Sequence, residues 1–240
     1  MASVTDASEP RITLGEAAYR RLRGDIIACR LAPGQRLTEK QVAADYGFSL
    51  APLRDALTRL DHEGLVRTLP HKGYQVTPLT PKSIDDLFVV WEINGPELIR
   101  LAIRHATEQQ LATAREAFEE LDRLAGQDDG NETALRDIEA VNATFGILAE
   151  ATGNAYLITL FRRLEGDMSR IRVLLLSSGS PVLDAEPAEH WVRHILAERD
   201  ADEAAAKARR YIEEIHRRVL EAVVRWPSVM TSEVVVSPAN

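Results

Sequence analysis

The chain has 240 residues, 45% of them hydrophobic, so its length favours two domains with substantial cores. Its formal net charge of −8 argues against a protein that coats nucleic acid, and it contains no apolar run of the roughly 18 residues that a membrane span requires. The single cysteine, Cys29, excludes an intramolecular disulfide, favours a reducing cytoplasmic compartment, and is expected to be a packed residue.

Residues 1–10 lack the apolar stretch of a signal peptide and are predicted to be a flexible N-terminus. After an amphipathic first helix, the segment from Thr38 onward begins a second pattern. Thr38 is a predicted N-cap, with Gln41 three residues later as a capping box requires. Gly47 supplies the positive φ of a sharp turn, and the hydroxyl of Ser49 is predicted to cap the next helix.

That next helix has apolar residues at the i, i+3, i+4 and i+7 spacing of one buried face, namely Leu53, Ala56, Leu57 and Leu60. Its opposite face carries Leu50, Ala51, Arg54, Asp55 and Thr58. Gly64 fits the position that ends the helix, and strand-like runs at 65–69 and 74–77 flank a basic tip at 70–73. The order of helix, turn, helix and hairpin predicts a winged helix-turn-helix, which places its second helix in the DNA major groove.

The segment resembles the GntR family of bacterial transcription regulators. The matching residues are Pro33-Gly34, Arg36–Glu39, Gly47, Ser49, Pro52–Leu57, Arg59-Leu60, Glu63–Val66 and Gly73. The resemblance implies a DNA-binding winged helix-turn-helix over residues 11–78, attached to a larger effector domain. Leu50 stands where the family commonly has an arginine, so the readout of bases is expected to differ from the family norm.

Position and resemblance together indicate a set of DNA contacts. The candidates are Arg36, Lys40, Ser49, Leu50, Ala51, Arg54, His71 and Lys72. Arg54 occupies the place of the family's DNA-contacting arginine, with an ordinary exposed helix charge as the alternative. Arg36 and Lys40 are candidates for phosphate contacts or solvated charges, and His71 and Lys72 are placed to reach the minor groove or the backbone. Two roles are considered for Ser49, an N-cap of the helix and a phosphate contact through its backbone amide.

The distribution of charge supports this division of the chain. Residues 1–80 contain 11 basic and 9 acidic side chains, a net charge of +2. Residues 81–240 contain 18 basic and 28 acidic ones, a net charge of −10. Because neutralising phosphates requires local positive charge, the pattern favours a DNA-binding head on a body that does not bind DNA.

From Thr80 the chain is predicted to be helical, so the whole protein is expected to be mainly α. Helices are predicted from 81 to about 105 and then at roughly 108–125, 132–152, 155–177, 186–199 and 201–225. This all-α bundle of about six helices, over residues 79–226, resembles the FCD effector domain of the FadR-like subfamily. The matching stretches are Asp86–Ala102, Phe145–Asn154 and Glu189-His190. The order of the C-terminal tail, residues 227–240, is left open.

The FCD resemblance implies four positions that hold a divalent metal, an Asp and a His one helical turn apart and two further His. In this chain they fall on Asn142, Gly146, His190 and Tyr211. Glycine offers no ligand, and neutral Asn or Tyr is a poor one, so a metal site of the family type is not predicted and no cofactor is expected. His190 and His194 have the spacing of an alternative metal pair, but without a suitable acidic partner.

Other departures point to an organic ligand. Trp91 takes the place of a family arginine that grips an acidic ligand, and the Asn94-Gly95-Pro96 sequence is expected to weaken or kink its helix. We expect a small organic effector to bind directly through a set of polar and aromatic residues. The predicted set is Trp91, Asn94, Asn142, Arg172, His190 and Tyr211. The alternative is that the aromatic residues belong to the core and the amides are satisfied locally.

Three functions are compatible with these patterns. The first is a regulator, most often a repressor in this family, that binds a palindromic operator as a homodimer and responds to the effector. The second is an effector-independent DNA-binding dimer with a structural helical body. The third, a metalloenzyme, is disfavoured because no set of base, nucleophile and metal ligands is present in the sequence, so no catalytic residue is predicted.

Overall fold

The computed structural model describes residues 12–124, 131–177 and 200–223, which form eight helices and one three-stranded sheet. The N-terminal head contains α1 (Leu14–Ile27), β1 (Arg36–Leu37), α2 (Glu39–Tyr46), α3 (Leu50–His62), β2 (Val66–Leu69) and β3 (Gly73–Val76). The body contains α4 (Pro81–His105), α5 (Glu108–Leu124), α6 (Asn131–Ala151), α7 (Ala155–Ser177) and α8 (Ala201–Val223). The predicted winged helix-turn-helix followed by a helical bundle is confirmed, whereas residues 1–10, 186–199 and 227–240, for which predictions were also made, lie outside the described residues.

The head forms around the packing of α1 against α3. Leu22 and Ile26 of α1 and Leu53 and Leu57 of α3 are fully buried. The sheet has the order β1-β3-β2 and is antiparallel throughout, with Arg36 of β1 opposite Gln75 of β3. The observed strands begin or end one residue away from the predicted runs. The leucine pattern of α3 therefore determines which face the helix buries, and its other face points away from the core.

Caps and turns of the head follow the sequence except at Ser49. The Thr38 hydroxyl accepts from the Gln41 amide at 3.3 Å, and Gly47 and Gly64 adopt φ of 72° and 71° where their helices end. Ser49 is the N-cap of α3 by position, but among the described residues its side chain makes no capping hydrogen bond. The prediction of hydroxyl capping was wrong. The side chain is exposed, so water can satisfy the first amides of α3 instead.

The body is organised by α4, which begins with a reciprocal capping box. The Ser83 amide donates to the Thr80 hydroxyl at 3.0 Å, and the Thr80 amide donates to the Ser83 hydroxyl at 2.8 Å. The helix continues unbroken through Asn94-Gly95-Pro96, the sequence that was expected to weaken or kink it. A Cβ on Gly95 would lie 2.7 Å from the Ile212 methyl carbon, so the glycine permits close approach of α8. No helix in the described part of the chain is long and apolar enough to cross a membrane.

Head and body are joined at α7. The guanidinium of Arg170 is fully buried, donates to the Thr77 carbonyl in the connection between the two, and pairs with Asp167 at 2.7 Å. The Cys29 thiol lies 3.8 Å from the Arg170 carbonyl oxygen, and burial raises the pKa of this thiol to about 11. Cys29 is thus a neutral packed residue at neutral pH, and the end of the head is tied directly to a helix of the body.

Candidate nucleic-acid interface and effector cavity

Helix α3, the predicted recognition helix, presents one face to solvent. Its buried residues are Leu53, Ala56, Leu57 and Leu60, and its exposed ones include Leu50, Ala51, Arg54, Asp55 and Thr58. Leu50 is 42% exposed and the side chain of Arg54 is 61% exposed. An apolar side chain at the helix N-terminus and a guanidinium one turn later therefore project from the head together, as groove contacts must.

Arg54 is held in place by an ion pair with α2. Its Nε and one terminal nitrogen lie 2.9 and 2.8 Å from the same carboxylate oxygen of Glu39. The pair joins the N-terminal turn of α2 to the second turn of α3. Because the pair is exposed, water and salt compete with it, so the guanidinium can exchange this partner for another acceptor at little cost.

The wing lies beside the same pair. The pKa of the Tyr74 phenol is raised chiefly by burial; Glu39 adds to the rise and Arg54 opposes it. At the tip of the hairpin, His71 adopts φ of 60°, and both His71 and Lys72 are exposed. The structure exposes every predicted DNA-contact residue, the set Arg36, Lys40, Ser49, Leu50, Ala51, Arg54, His71 and Lys72.

One cationic side chain of the wing, Arg67, was not predicted as a candidate from the sequence. Gln75 of β3 stands in register between Arg36 of β1 and Arg67 of β2, so the three side chains form a row across the sheet. Arg67 donates to the Gln75 side-chain oxygen at 2.9 and 2.6 Å and is exposed. Residues 67 and 75 lie at paired positions on either side of the hairpin tip. Because paired positions of a hairpin share one face, the sequence could have indicated that these two side chains are neighbours.

The body contains a cavity of about 110 Å³ between α4, α6, α7 and α8. This is roughly ten times the space that one water requires, so the cavity can hold a small organic molecule. Its walls are mainly aliphatic and aromatic, with a few polar groups. Of the predicted effector residues, it brings together Trp91, Asn142, Arg172 and Tyr211.

Trp91 is both a wall of the cavity and a part of the core. The indole is 5% exposed and packs edge-on against Phe145 at 6.3 Å and tilted against Phe161 at 6.2 Å between ring centroids. Asn94 is placed differently, since its side-chain amide donates to the Val90 carbonyl of its own helix at 2.8 Å and lies outside the cavity wall. His190 lies outside the described residues.

Polar groups of α6 and α7 form a short chain in the wall. The Asn142 amide donates to the Ser169 hydroxyl at 2.8 Å, and Ser169 donates to the Glu165 carbonyl at 2.8 Å. Burial raises the pKa of the Tyr211 phenol and Arg172 opposes the rise, so Tyr211 is protonated at neutral pH. Ser169 and Glu165 were not foreseen, because their position in the wall depends on how α7 packs rather than on any local motif.

Three of the four positions that the FCD resemblance assigns to metal ligands lie within the described residues, and their side chains do not suit a divalent metal. Asn142 offers a neutral amide already bonded to Ser169, Gly146 has no side chain, and Tyr211 is a protonated phenol. Within the described ranges, no group of three or more His, Cys, Asp or Glu side chains is arranged to hold a metal ion. The donor set lacks the carboxylate and imidazole groups that such ions prefer.

Comparisons with known proteins match both parts of the chain. The family described as "Bacterial regulatory proteins, gntR family" matches residues 14–76, and the FCD domain matches residues 86–214. The Nta operon transcriptional regulator of Aminobacter aminovorans is 29% identical over 199 residues, covering 82% of this chain and 90% of the relative. The transcriptional repressor RspR of Escherichia coli K12 is 30% identical over 104 residues, covering 43% of this chain and 42% of the relative.

Solved structures agree on the fold. Escherichia coli McbR/YncC superimposes with a TM-score of 0.67 at 20% identity, covering 89% of this chain and 98% of that one. A putative GntR regulator from Rhodococcus sp. RHA1 gives a TM-score of 0.66 at 20% identity, covering 87% and 98%. Both similarities extend over head and body together.

Proposed function

The chain belongs to the GntR family of DNA-binding transcriptional regulators, with an FCD body, and it is not an enzyme; from this premise we propose that it is a repressor whose affinity for a palindromic operator is set by a small organic effector in the body. The observation that carries the DNA-binding part is the exposed face of α3, where Leu50 and Arg54 project into solvent. The observation that supports the effector part is the cavity between four helices of the body.

In this proposal each surface of the head has a distinct role. Arg54 reads a base edge in the major groove, and Leu50 makes an apolar contact such as a thymine methyl group offers. Arg36, Lys40 and Lys72 contact phosphates, and the exposed Ser49 hydroxyl is available to do the same. Residues 81–240 carry a net charge of −10, which keeps the body away from the duplex.

The repressor acts as a homodimer in this proposal. Two heads related by two-fold symmetry would read half-sites whose centres lie about 34 Å apart, which makes the operator palindromic. The deciding experiment is selection of bound duplexes from a random pool at a fixed salt concentration, followed by sedimentation of the complex. A two-fold motif bound by two chains is expected, and failure to enrich any sequence would contradict the proposal.

Leu50→Arg tests the base readout of the recognition helix. Arginine binds guanine bidentately, whereas leucine offers only apolar contact. We expect the variant to enrich guanine at one position in each half-site where the wild type does not. Repeating the selection measures this directly, and Lys40→Ala is the control, because loss of a phosphate contact should weaken binding to all sequences alike.

The effector is proposed to bind without the family's metal. Apolar and aromatic walls suit a compact organic molecule, while Asn142, Tyr211 and Arg172 provide a few groups that fix its orientation. Binding would bias two arrangements of the dimer and so alter operator affinity. A regulator that does not respond to any ligand remains the competing function, because Trp91 also packs as an ordinary core residue.

Two asparagines provide a matched test of the cavity. A metabolite library is screened by thermal shift for compounds that stabilise the wild-type protein. Asn142→Ala, at the cavity wall, is expected to weaken binding of such a compound by roughly 2- to 12-fold, the effect of one lost hydrogen bond. Asn94→Ala, whose amide serves its own helix, is expected to bind as the wild type does. Equal responses in the two variants would remove this cavity from the proposal.

A further inference from the structure

One arginine of α1 stands between the cavity and the recognition helix. Glu165 of α7 lines the cavity, is 21% exposed, and lies 3.8 Å from a terminal nitrogen of Arg23. The Nε of the same arginine donates to Glu63 at 3.3 Å. Glu63 is the C-cap residue of α3. A single guanidinium is therefore shared by the carboxylate of a cavity-lining residue and a carboxylate at the end of α3.

The contacts continue from Glu63 into α3. The Tyr19 hydroxyl donates to the other Glu63 oxygen at 2.5 Å, and burial, with Glu63 adding to it, raises the pKa of Tyr19 to about 12. The guanidinium of Arg59, in the last turn of α3, lies 3.7 Å above the Tyr19 ring. A change at Glu63 thus reaches side chains that fix the last turn of α3 against α1.

Close packing accompanies this ionic path. A Cβ on Gly166 of α7 would lie 2.8 Å from a methyl carbon of Leu65, just beyond α3. The guanidinium of Arg163, also on α7, occupies the space beside Gly64 where a Cβ would stand. Because packed segments cannot deform continuously, a shift of α7 must displace the turn that ends α3.

Within this path, the charge of the Glu165 carboxyl depends on burial and on its contact with Arg23. Burial raises the pKa of the Glu165 carboxyl, Arg23 opposes the rise, and Glu63 adds to it. The carboxylate can accept hydrogen bonds but cannot donate them. A ligand group that competes with Arg23 for Glu165 must therefore be a donor, such as an ammonium, amide or hydroxyl group.

We propose that Arg23 is a positioning residue through which ligand binding in the cavity changes the position of the recognition helix. A hydrogen-bond donor of the ligand binds the Glu165 carboxylate and draws this carboxylate away from Arg23. The contact of Arg23 with Glu63 then changes, and the end of α3 moves. This inference rests on the proposed function, because it concerns the regulation of the same cavity. It also narrows the effector to organic molecules that carry a hydrogen-bond donor.

Glu165→Gln imitates the engaged state without requiring a known effector, because the amide cannot form the ion pair with Arg23. Operator affinity is measured by fluorescence anisotropy with the full-length protein and the selected duplex at fixed salt. We expect binding at least 5-fold weaker than that of the wild type, within the 5- to 150-fold range of allosteric coupling. Removing a negative charge would by itself strengthen binding to DNA, so a loss of affinity identifies coupling rather than charge.

Two further variants complete the test. Glu63→Gln breaks the same path at its other end and is expected to weaken binding as well, and the double variant should be within about 2-fold of the weaker single one, because both act through Arg23. Glu150→Gln, which removes a body carboxylate paired with Arg162 at the surface, is the control and should change affinity by less than about 2-fold.

The outcomes separate this inference from the proposed function. If the wild type enriches no operator, the proposed function fails. If the wild type binds its operator and both Glu165→Gln and Glu63→Gln bind it equally well or more tightly, the coupling through Arg23 is wrong. If Glu165→Gln does not fold, the result for Glu63→Gln decides between the outcomes. In that variant, the protection of residues 59–65 from hydrogen exchange must be lower than in the wild type if the inference holds.

Discussion

Replacing Arg54 with alanine is expected to weaken binding to the selected operator by roughly 5- to 150-fold, with a much smaller effect on random duplexes. The side chain is 61% exposed on the face of α3 that points away from the core, so its removal leaves the helix packing intact. A guanidinium that reads a base edge contributes to specific complexes only, whereas one that contacts phosphates contributes to all. Anisotropy titrations with both kinds of duplex at one salt concentration measure the difference.

Two controls separate base readout from other effects of the change. Glu39→Gln disrupts the same ion pair but leaves Arg54 free, so it is expected to bind the operator at least as tightly as the wild type. Arg217→Ala removes a guanidinium paired with two glutamates on α8 and should leave affinity unchanged. Equal losses of Arg54→Ala on operator and random DNA would show that Arg54 contacts phosphate and not bases.

The head could be predicted from the sequence because its determinants are local. A hydroxyl cap at Thr38, a left-handed glycine at Gly47 and the leucine spacing of α3 each act over a few residues. Ser49 shows the limit of such reasoning. The sequence marks it as an N-cap, but whether its hydroxyl bonds to the helix or to water depends on exposure, which the local pattern does not determine.

The cavity and its link to the head depend on contacts between distant residues. The Arg23–Glu165 and Arg170–Thr77 contacts join α7 to segments about 90 to 140 residues earlier in the chain, so no periodicity indicates them. Asn94 lies one helical turn from Trp91, which favoured a shared site, but its amide bonds to its own backbone. Helical spacing predicts a common face; it does not predict which partner a side chain chooses.

The position of the wing depends on a close approach at Gly73. This residue has φ of 84°, and a Cβ added to it would lie 2.5 Å from the backbone oxygen of Leu37 in β1. Alanine therefore faces two separate penalties, a left-handed backbone and an overlap with a backbone atom that cannot rotate away. We expect Gly73→Ala to destabilise the head by about 1–2 kcal/mol from the backbone conformation and by about 1–3 kcal/mol more from the overlap.

Gly47→Ala is the matched control, because Gly47 has φ of 72° but an added Cβ there would meet nothing within 4 Å in the described part of the chain. It should show the backbone penalty alone. Hydrogen exchange of the full-length variants, followed in peptides covering β1 and β3, measures the local stability. Gly73→Ala is expected to lose more protection there and to bind the operator more weakly, since separating β1 from β3 shifts the hairpin tip that carries the exposed His71 and Lys72. Equal loss of protection in the two variants would mean that β1 moves aside freely, and that the sheet does not fix the wing.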